Sequence, residues 1–247
     1  IQKMIEEKNI SEAIHYRRSV RIFDADKPID PNRVKQCIQQ AALAPNSSNM
    51  QLWEFHHIVS ESIKKKMAPY CFDQNAAKTA QHLVVVAVRK DLWKKRRQAN
   101  IKHINSVYDA KPISDQSSRE KVIRNYYKKL IPFAYTDFLG IFGWLKYFMV
   151  SIIGLFRPMY REVRNKDMRI VAHKSAGLAA QTFMLSMAGI EYDTCPMEGT
   201  DTRRIKRLLD LPIGAEINMV IGCGIRKPTG VYGDRFRIPF QDVYKEW

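Results

Sequence analysis

Five arginines are grouped at the two ends of the chain. Arg17-Arg18-Ser19-Val20-Arg21 sets three guanidiniums and a hydroxyl within five positions. A planar guanidinium donates two parallel hydrogen bonds, a geometry that suits phosphate. Arg235 and Arg237 form a second basic cluster, and their alternation puts both on one face of an extended segment. Asn46, Ser47, Ser48, Asn49 and Gln51 add amides and hydroxyls without charge, a donor set that suits a heteroaromatic or ribityl ligand. Each cluster taken singly reads as solvated surface; their order along the chain gives them weight.

Other chemistries are absent. There is no Walker A motif and no GxGxxG, and Gly222-Cys223-Gly224 alone is too little for a dinucleotide site. HExxH and GxSxG are missing as well. The six histidines are His15, His56, His57, His82, His103 and His173. His56 and His57 point to opposite faces of their strand, so no metal site is expected. Cys37, Cys71, Cys195 and Cys223 are far apart, with no CxxC. That spacing excludes a disulfide framework and fits a reducing, cytoplasmic setting. No signal peptide is visible, and the first residue, Ile1, is not an initiator Met.

These groups need a folded frame, and the composition supplies one. The chain has 247 residues, 45% hydrophobic and 27% charged, enough apolar material for a single domain with a real core. It carries 41 Lys and Arg against 25 Asp and Glu, a net charge of +16. That field favours anionic partners. Residues 89–129 hold 13 of the basic residues against 4 acidic ones. Aromatics are not interleaved with this run and no nucleic-acid motif is present, so nucleic acid is not an expected partner.

Hydrophobic periodicity predicts a helix over 11–18, with Ser11 as N-cap, and an extended run over Ser19–Phe23. Asp30-Pro31 starts a helix carrying Val34, Cys37, Ile38, Ala41 and Ala42. Pro45 and the polar cluster after it end that helix in a loop. Strands are expected over 53–59, 83–88 and 217–222. The unbroken run Leu83–Val88 predicts burial on both faces. Short helices are expected near 61–68 and 74–81, and partial helix over 89–130. A long helix over 172–188 carries one stripe of Ala176, Ala179, Ala180, Phe183, Met184 and Met187, with Gly189 at its C′ position. Asp201 caps a helix bearing Ile205, Leu208 and Leu209. Strands and helices mix without a βαβ rhythm, which predicts one α+β domain over 1–247 with an insertion at 90–168.

Within that insertion, 138–156 is apolar except for Lys146. A bilayer span would place Lys146 near its centre, which is costly. The expectation is a helical cover that buries Phe138, Phe142, Leu145, Met149, Ile152 and Phe156 and leaves a face with Ile141 and Ile153 for substrate, a second subunit or lipid. Its basic flanks, Lys128 and Lys129 before it and Arg157, Arg161 and Arg164 after it, also allow a peripheral membrane contact.

Four blocks in order carry a resemblance: Arg-Arg-Ser-Val-Arg-Ile-Phe at 17–23, Ala-Pro-Asn-Ser-Ser-Asn-Met-Gln-Leu-Trp at 44–53, Asp-Thr-Cys-Pro-Met-Glu-Gly at 193–199 and Arg-Phe-Arg-Ile-Pro at 235–239. Together they resemble the FMN-dependent nitroreductase family over about 1–88 and 170–247. The resemblance implies a mixed sheet flanked by helices, and a homodimer with FMN at the subunit interface. It implies that Arg17 and Ser19 hold the phosphate and ribityl chain, with Arg18 also binding the cofactor and Arg235 and Arg237 on the phosphate. Arg21 would lie near flavin N1 and O2. Pro45, Asn46, Ser47 and Asn49 would come from the partner subunit. Pro196, Met197, Glu198 and Gly199 would line the ring edge, with the Glu198 backbone near N5. A polar residue before the second core strand would touch the flavin; Asp73, Gln74 and Asn75 compete for that role. Asn46 stands where Ser is usual, Leu52 where Pro is common, and Thr200 where an aromatic is frequent. Cys195 has no base beside it in sequence and reads as packing.

The implied activity is ping-pong hydride transfer from NAD(P)H through FMN to a nitroaromatic, quinone or similar hydrophobic acceptor. No side-chain nucleophile is required, because the flavin carries the chemistry. The alternatives are dehalogenation or ene reduction on the same fold, or a membrane-surface protein with a vestigial flavin site.

Overall fold

The computed structural model describes residues 7–108, 118–138 and 140–247. Residues 109–117 of the basic stretch and Leu139 of the apolar run lie outside the described residues. Helix α1 spans Ile10–Tyr16. Its cap is Asn9 and not Ser11: the Asn9 side chain accepts from the Glu12 amide while Glu12 reaches back to the Asn9 amide. The extended run follows, with isolated bridges pairing Ser19 with Thr194 and Phe23 with Arg226. Helix α2, Pro31–Ala41, starts on the Asp30 cap with Pro31 in its first turn, as its sequence predicts.

Four strands make one sheet in the order β1-β2-β4-β3: β1 Trp53–Ile58, β2 His82–Val88, β3 Asp193–Met197 and β4 Glu216–Gly224. Every ladder between them is antiparallel. The mixed character comes from the Ser19–Thr194 bridge, which is parallel. Strand β3, read in the sequence only as a motif, is an edge strand interrupted by Pro196. An edge position tolerates the missing proline N–H.

All seven residues of β2 are buried. Val84, Val86 and Val88 pack towards α2 and α9, the long helix Asn165–Gly189, where they meet Val34, Ala176, Ala180 and Phe183. Leu83 and Val85 point the other way, into a cluster with Met67, Ala76, Ala77 and Ile205. Those side chains come from α3 Glu61–Tyr70, α4 Asn75–Lys78 and α10 Thr202–Leu208. Alternating strand residues thus serve two cores, and a central strand can be apolar throughout. Helix α4 is shorter than the predicted 74–81, because the chain passes into β2 at His82. Helix α9 includes Gly189; Glu191, not Gly189, takes the left-handed conformation (φ 63°) at the turn that follows.

The insertion leaves after β2 and returns at α9. Lys90 hydrogen-bonds the Asn165 side chain, so its two ends meet. It contains α5 Trp93–Tyr108, α6 Ser118–Asn125, a π turn over Tyr126–Leu130, α7 Ile131–Tyr135 and α8 Ile141–Ile153. Ile104, Tyr127 and Ile131 join the α2–α9 core cluster, so the insertion packs on the core.

The α8 segment turns outward the six residues predicted to be buried, whereas Ile141 is exposed as predicted and Ile153 is half-buried. Phe138, Phe142, Leu145, Met149, Ile152 and Phe156 are all exposed, while Gly143, Lys146 and Val150 face inward. The ammonium sets this rotation. Lys146 Nζ donates to the carbonyls of Phe133 (2.9 Å), Ala134 (3.1 Å) and Thr136 (2.9 Å) at the end of α7. A cation placed on terminal helix carbonyls meets both their hydrogen-bonding need and the negative end of the dipole.

Candidate functional site

The arginines of the two chain ends line one cavity of about 280 Å³. Arg17, Arg18, Ser19, Arg21, Arg235 and Arg237 are all at its wall, joined by Val231, Tyr232, Asp234 and Phe236. Backbone pairing places the first arm. Val20 N–H donates to Thr194 O at 3.1 Å, which lays residues 19–20 along β3. Arg21 N–H donates to Gly230 O at 2.6 Å. A Cβ on Gly230 would sit 2.3 Å from Ile22 O, so this close pairing of backbones needs glycine.

The second arm is held by its own arginine. Arg235 donates to His15 O at 2.9 Å and Arg17 O at 2.6 Å, closing on the C-terminal end of α1. Arg18 Nη2 donates to Gly233 O at 2.8 Å. Arg237 donates to the neighbouring Phe236 O at 2.6 Å. Five guanidiniums thus share the wall with one carboxylate, Asp234. The Arg17 pKa is held below its ordinary value, first by burial and then by Arg235, Arg237 and Arg18. A bound polyanion would offset that repulsion, and the set of donors fits a phosphate.

Two residues that the sequence did not single out stabilise this frame. Tyr232 packs under Arg21, with the guanidinium 5.8 Å from the ring centre, and accepts from Asn75 Nδ2 at 3.1 Å. The paired glycines of Gly230-Val-Tyr-Gly233 were the available signal, since they mark a tight turn. Arg226 donates to the Asp193 carboxylate from its backbone N (2.8 Å) and its Nε (2.9 Å), and to Tyr16 O at 3.1 Å. One half-buried ion pair, on the buried Asp193 carboxylate, thereby ties α1, β3 and the end of β4 together. Nothing in the local sequence around Arg226 indicates its partner 33 positions away.

The predicted ring-edge residues form a second group. Pro196 and Met197 end β3; Met197 is buried in the core, whereas Glu198 and Gly199 are exposed. Among the three competing polar residues, Gln74 reaches this turn: its Nε2 donates to Gly199 O at 3.0 Å. Asn75 goes to Tyr232 instead. Thr200 Oγ1 is buried with no hydrogen-bond partner. None of 196–199 lines the arginine cavity, but Cys195 just before them lies close enough to feel the charge of Arg21 and Arg17. Burial raises the Cys195 thiol above its ordinary pKa despite those arginines, in keeping with a packing role. All four cysteines are unpaired and buried.

The polar loop stands apart from the arginines. Pro45, Asn46, Ser47 and Asn49 do not line their cavity. Asn46 Oδ1 accepts from Gln51 N at 2.8 Å, and Ser47 N donates to Ser175 Oγ at 3.3 Å. Ser48, Asn49 and Gln51 all adopt positive φ. The insertion steadies these turns: Asn100 Nδ2 donates to Asn49 O (3.0 Å), and Tyr127 Oη donates to Ser48 O (2.9 Å). Among the described residues, no group of three or more His, Cys, Asp or Glu side chains could hold a metal ion.

The profile of the Nitroreductase family matches residues 14–225. Protein DrgA of Synechocystis sp. is 24% identical over 215 residues, covering 87% of this chain and 83% of that protein. The candidate NAD(P)H nitroreductase MhqN of Bacillus subtilis is 23% identical over 230 residues, covering 93% and 94%. Among solved structures, the FMN complex of a candidate nitroreductase from Exiguobacterium sibiricum superposes with a TM-score of 0.65 at 20% identity, covering 97% of this chain and 98% of that one. With its four-stranded sheet between helical layers and its two arginine arms on one cavity, the chain belongs to the nitroreductase family.

Proposed function

We propose that the protein is an FMN-dependent oxidoreductase that takes a hydride from NAD(P)H and delivers it to a nitroaromatic, quinone or similar acceptor. The observation that carries this reading is the convergence of Arg17, Arg18, Ser19, Arg235 and Arg237 on one cavity. That set would hold the terminal phosphate of a mononucleotide. FMN, when bound, supplies a ring that accepts hydride from the nicotinamide and gives it to the acceptor, the two substrates taking turns. Arg21, braced on Tyr232, would present a cation to the pyrimidine side and stabilise negative charge there. Gln74 would fix the turn at Gly199, so that backbone donors of 198–199 keep one orientation.

The working unit is a homodimer in this reading. Pro45, Asn46, Ser47 and Asn49 belong to the neighbour's site, which accords with their distance from the arginines of their own chain. A mostly apolar cavity of about 360 Å³ lies beside the same loop, bordered by Ser47, Ser48, Tyr126, Phe133, Tyr135 and Val150. Its lining suits a hydrophobic or aromatic acceptor.

The test is the identity of the cofactor. Protein reconstituted with a flavin mixture should release FMN on denaturation, identified by chromatography, and its yellow colour should bleach with NADH or NADPH. Release of FAD, or of no flavin, rejects the reading.

A further inference from the structure

We propose that helix α8 docks the protein on an anionic lipid surface, lying in the bilayer interface without crossing it. This goes beyond the oxidoreductase reading and does not depend on it. The helix is inverted relative to an ordinary surface helix. Its single charge, Lys146, is 8% exposed and points into the protein. Its apolar side chains point out: Ile141, Phe142, Trp144, Leu145, Phe148 and Ile152 are all exposed, Phe148 at 68%. At 100° per residue these positions fall within an arc of about 160°. The inward positions Gly143, Lys146 and Val150 lie on the opposite side.

The basic groups around the helix decide what covers it. Residues 126–169 carry eight Lys and Arg against three Asp and Glu. At the N-terminal end of α8, Arg164 lies over the rings of Trp144 (5.7 Å) and Tyr147 (4.9 Å). At the C-terminal end, Arg161 Nη2 donates to Gly154 O at 2.9 Å, and Arg157 is exposed. Lys128 and Lys129, also exposed, precede α7, whose terminal carbonyls hold Lys146. The three acids are Asp137, which accepts from Gly143 N, Asp167, which is paired with Arg164, and the exposed Glu162. An apolar arc flanked by cations, with an aromatic–arginine contact at the rim, complements a headgroup layer of negative charge.

The length of the helix excludes a span. Thirteen residues extend about 20 Å at 1.5 Å per residue, against a hydrocarbon core about 30 Å thick. Among the described residues no helix is long and apolar enough to cross a membrane. Lys146 points into the protein, where three carbonyls accept from its ammonium. Lipid insertion of the outer arc therefore need not carry that charge into the bilayer.

The experiment is flotation of the full-length protein with vesicles of phosphatidylcholine alone and of an equimolar phosphatidylcholine–phosphatidylserine mixture. Binding to the mixed vesicles, weakened by salt, is expected. The double variant Leu145→Asp/Phe148→Asp should lose at least about tenfold in partitioning, since carboxylates are strongly disfavoured in apolar lipid. Both positions are exposed, so its melting profile and flavin content should match those of the unmodified protein. Recovery of the unmodified protein in the unbound fraction with both vesicle types overturns the proposal. So does light scattering in which the unmodified protein is a dimer and the double variant a monomer, because α8 would then be covered by a second copy of this chain.

Discussion

Arg235 donates from Nη2 to the backbone carbonyl of Arg17 across 2.6 Å, joining two basic residues 218 positions apart. The bond does not neutralise either charge. It positions one guanidinium by means of the other residue's backbone, so the second arm of the cavity is built on the first.

Arg17→Ala and Arg237→Ala should each weaken FMN binding. A hydrogen bond to a charged group is worth roughly 1.5–3 kcal/mol, which corresponds to about ten- to a hundred-fold. Fluorescence titration of FMN measures the change, and unaltered affinity in both variants would remove these arginines from the phosphate site.

Gln74→Ala should act on turnover more than on flavin affinity. It removes the bond to Gly199 O and leaves the arginine cavity untouched. A neutral hydrogen bond contributes about 0.5–1.5 kcal/mol, so a three- to ten-fold loss in kcat is expected with near-normal FMN retention. Steady-state kinetics on the reconstituted protein checks it, and a loss of FMN equal to that in Arg17→Ala would contradict it.

Lys146→Met should destabilise the insertion. Three part-buried carbonyls at the end of α7 lose their charged donor, and a hydrogen bond to a charged group is worth about 1.5–3 kcal/mol. Hydrogen exchange should show faster opening over 131–153, with β2 and β4 protected as before. Unchanged exchange would mean that water replaces the ammonium without penalty.

Stability should fall as the solution is acidified through the histidine range. The His82 pKa is pushed down to about 4, by burial first and then by His57 and Lys64. His57 Nε2 and His82 Nδ1 lie 3.1 Å apart, and His57 is itself lowered by burial. Below the ordinary value of 6.5 the unfolded chain therefore takes up protons that the folded chain refuses. The stabilisation is complete above 6.5, shrinks as pH drops, and is gone once pH passes about 4. Thermal midpoints between pH 7 and 5 should decline, and His82→Asn should flatten the slope. An equal slope in the variant would assign the acid sensitivity to other groups.

Local sequence determined much of this protein. The Asp30-Pro31 start, the Asp201 cap and the doubly buried strand at 83–88 follow from side-chain chemistry acting over a few residues, and the structure contains each of them. The four motif blocks located the arginines and named the family. Tertiary contacts decided what those blocks could not. Of Asp73, Gln74 and Asn75, Gln74 bonds a turn 125 residues downstream, a contact that no local pattern could announce. Strand β3 exists because β4 supplies its partner, not because a segment containing Pro196 favours extension. Most of all, periodicity can find an apolar stripe on α8 but not the direction it faces. That direction was set by one ammonium, because the carbonyls of Phe133, Ala134 and Thr136 lie on the protein side and a buried cation must reach its acceptors.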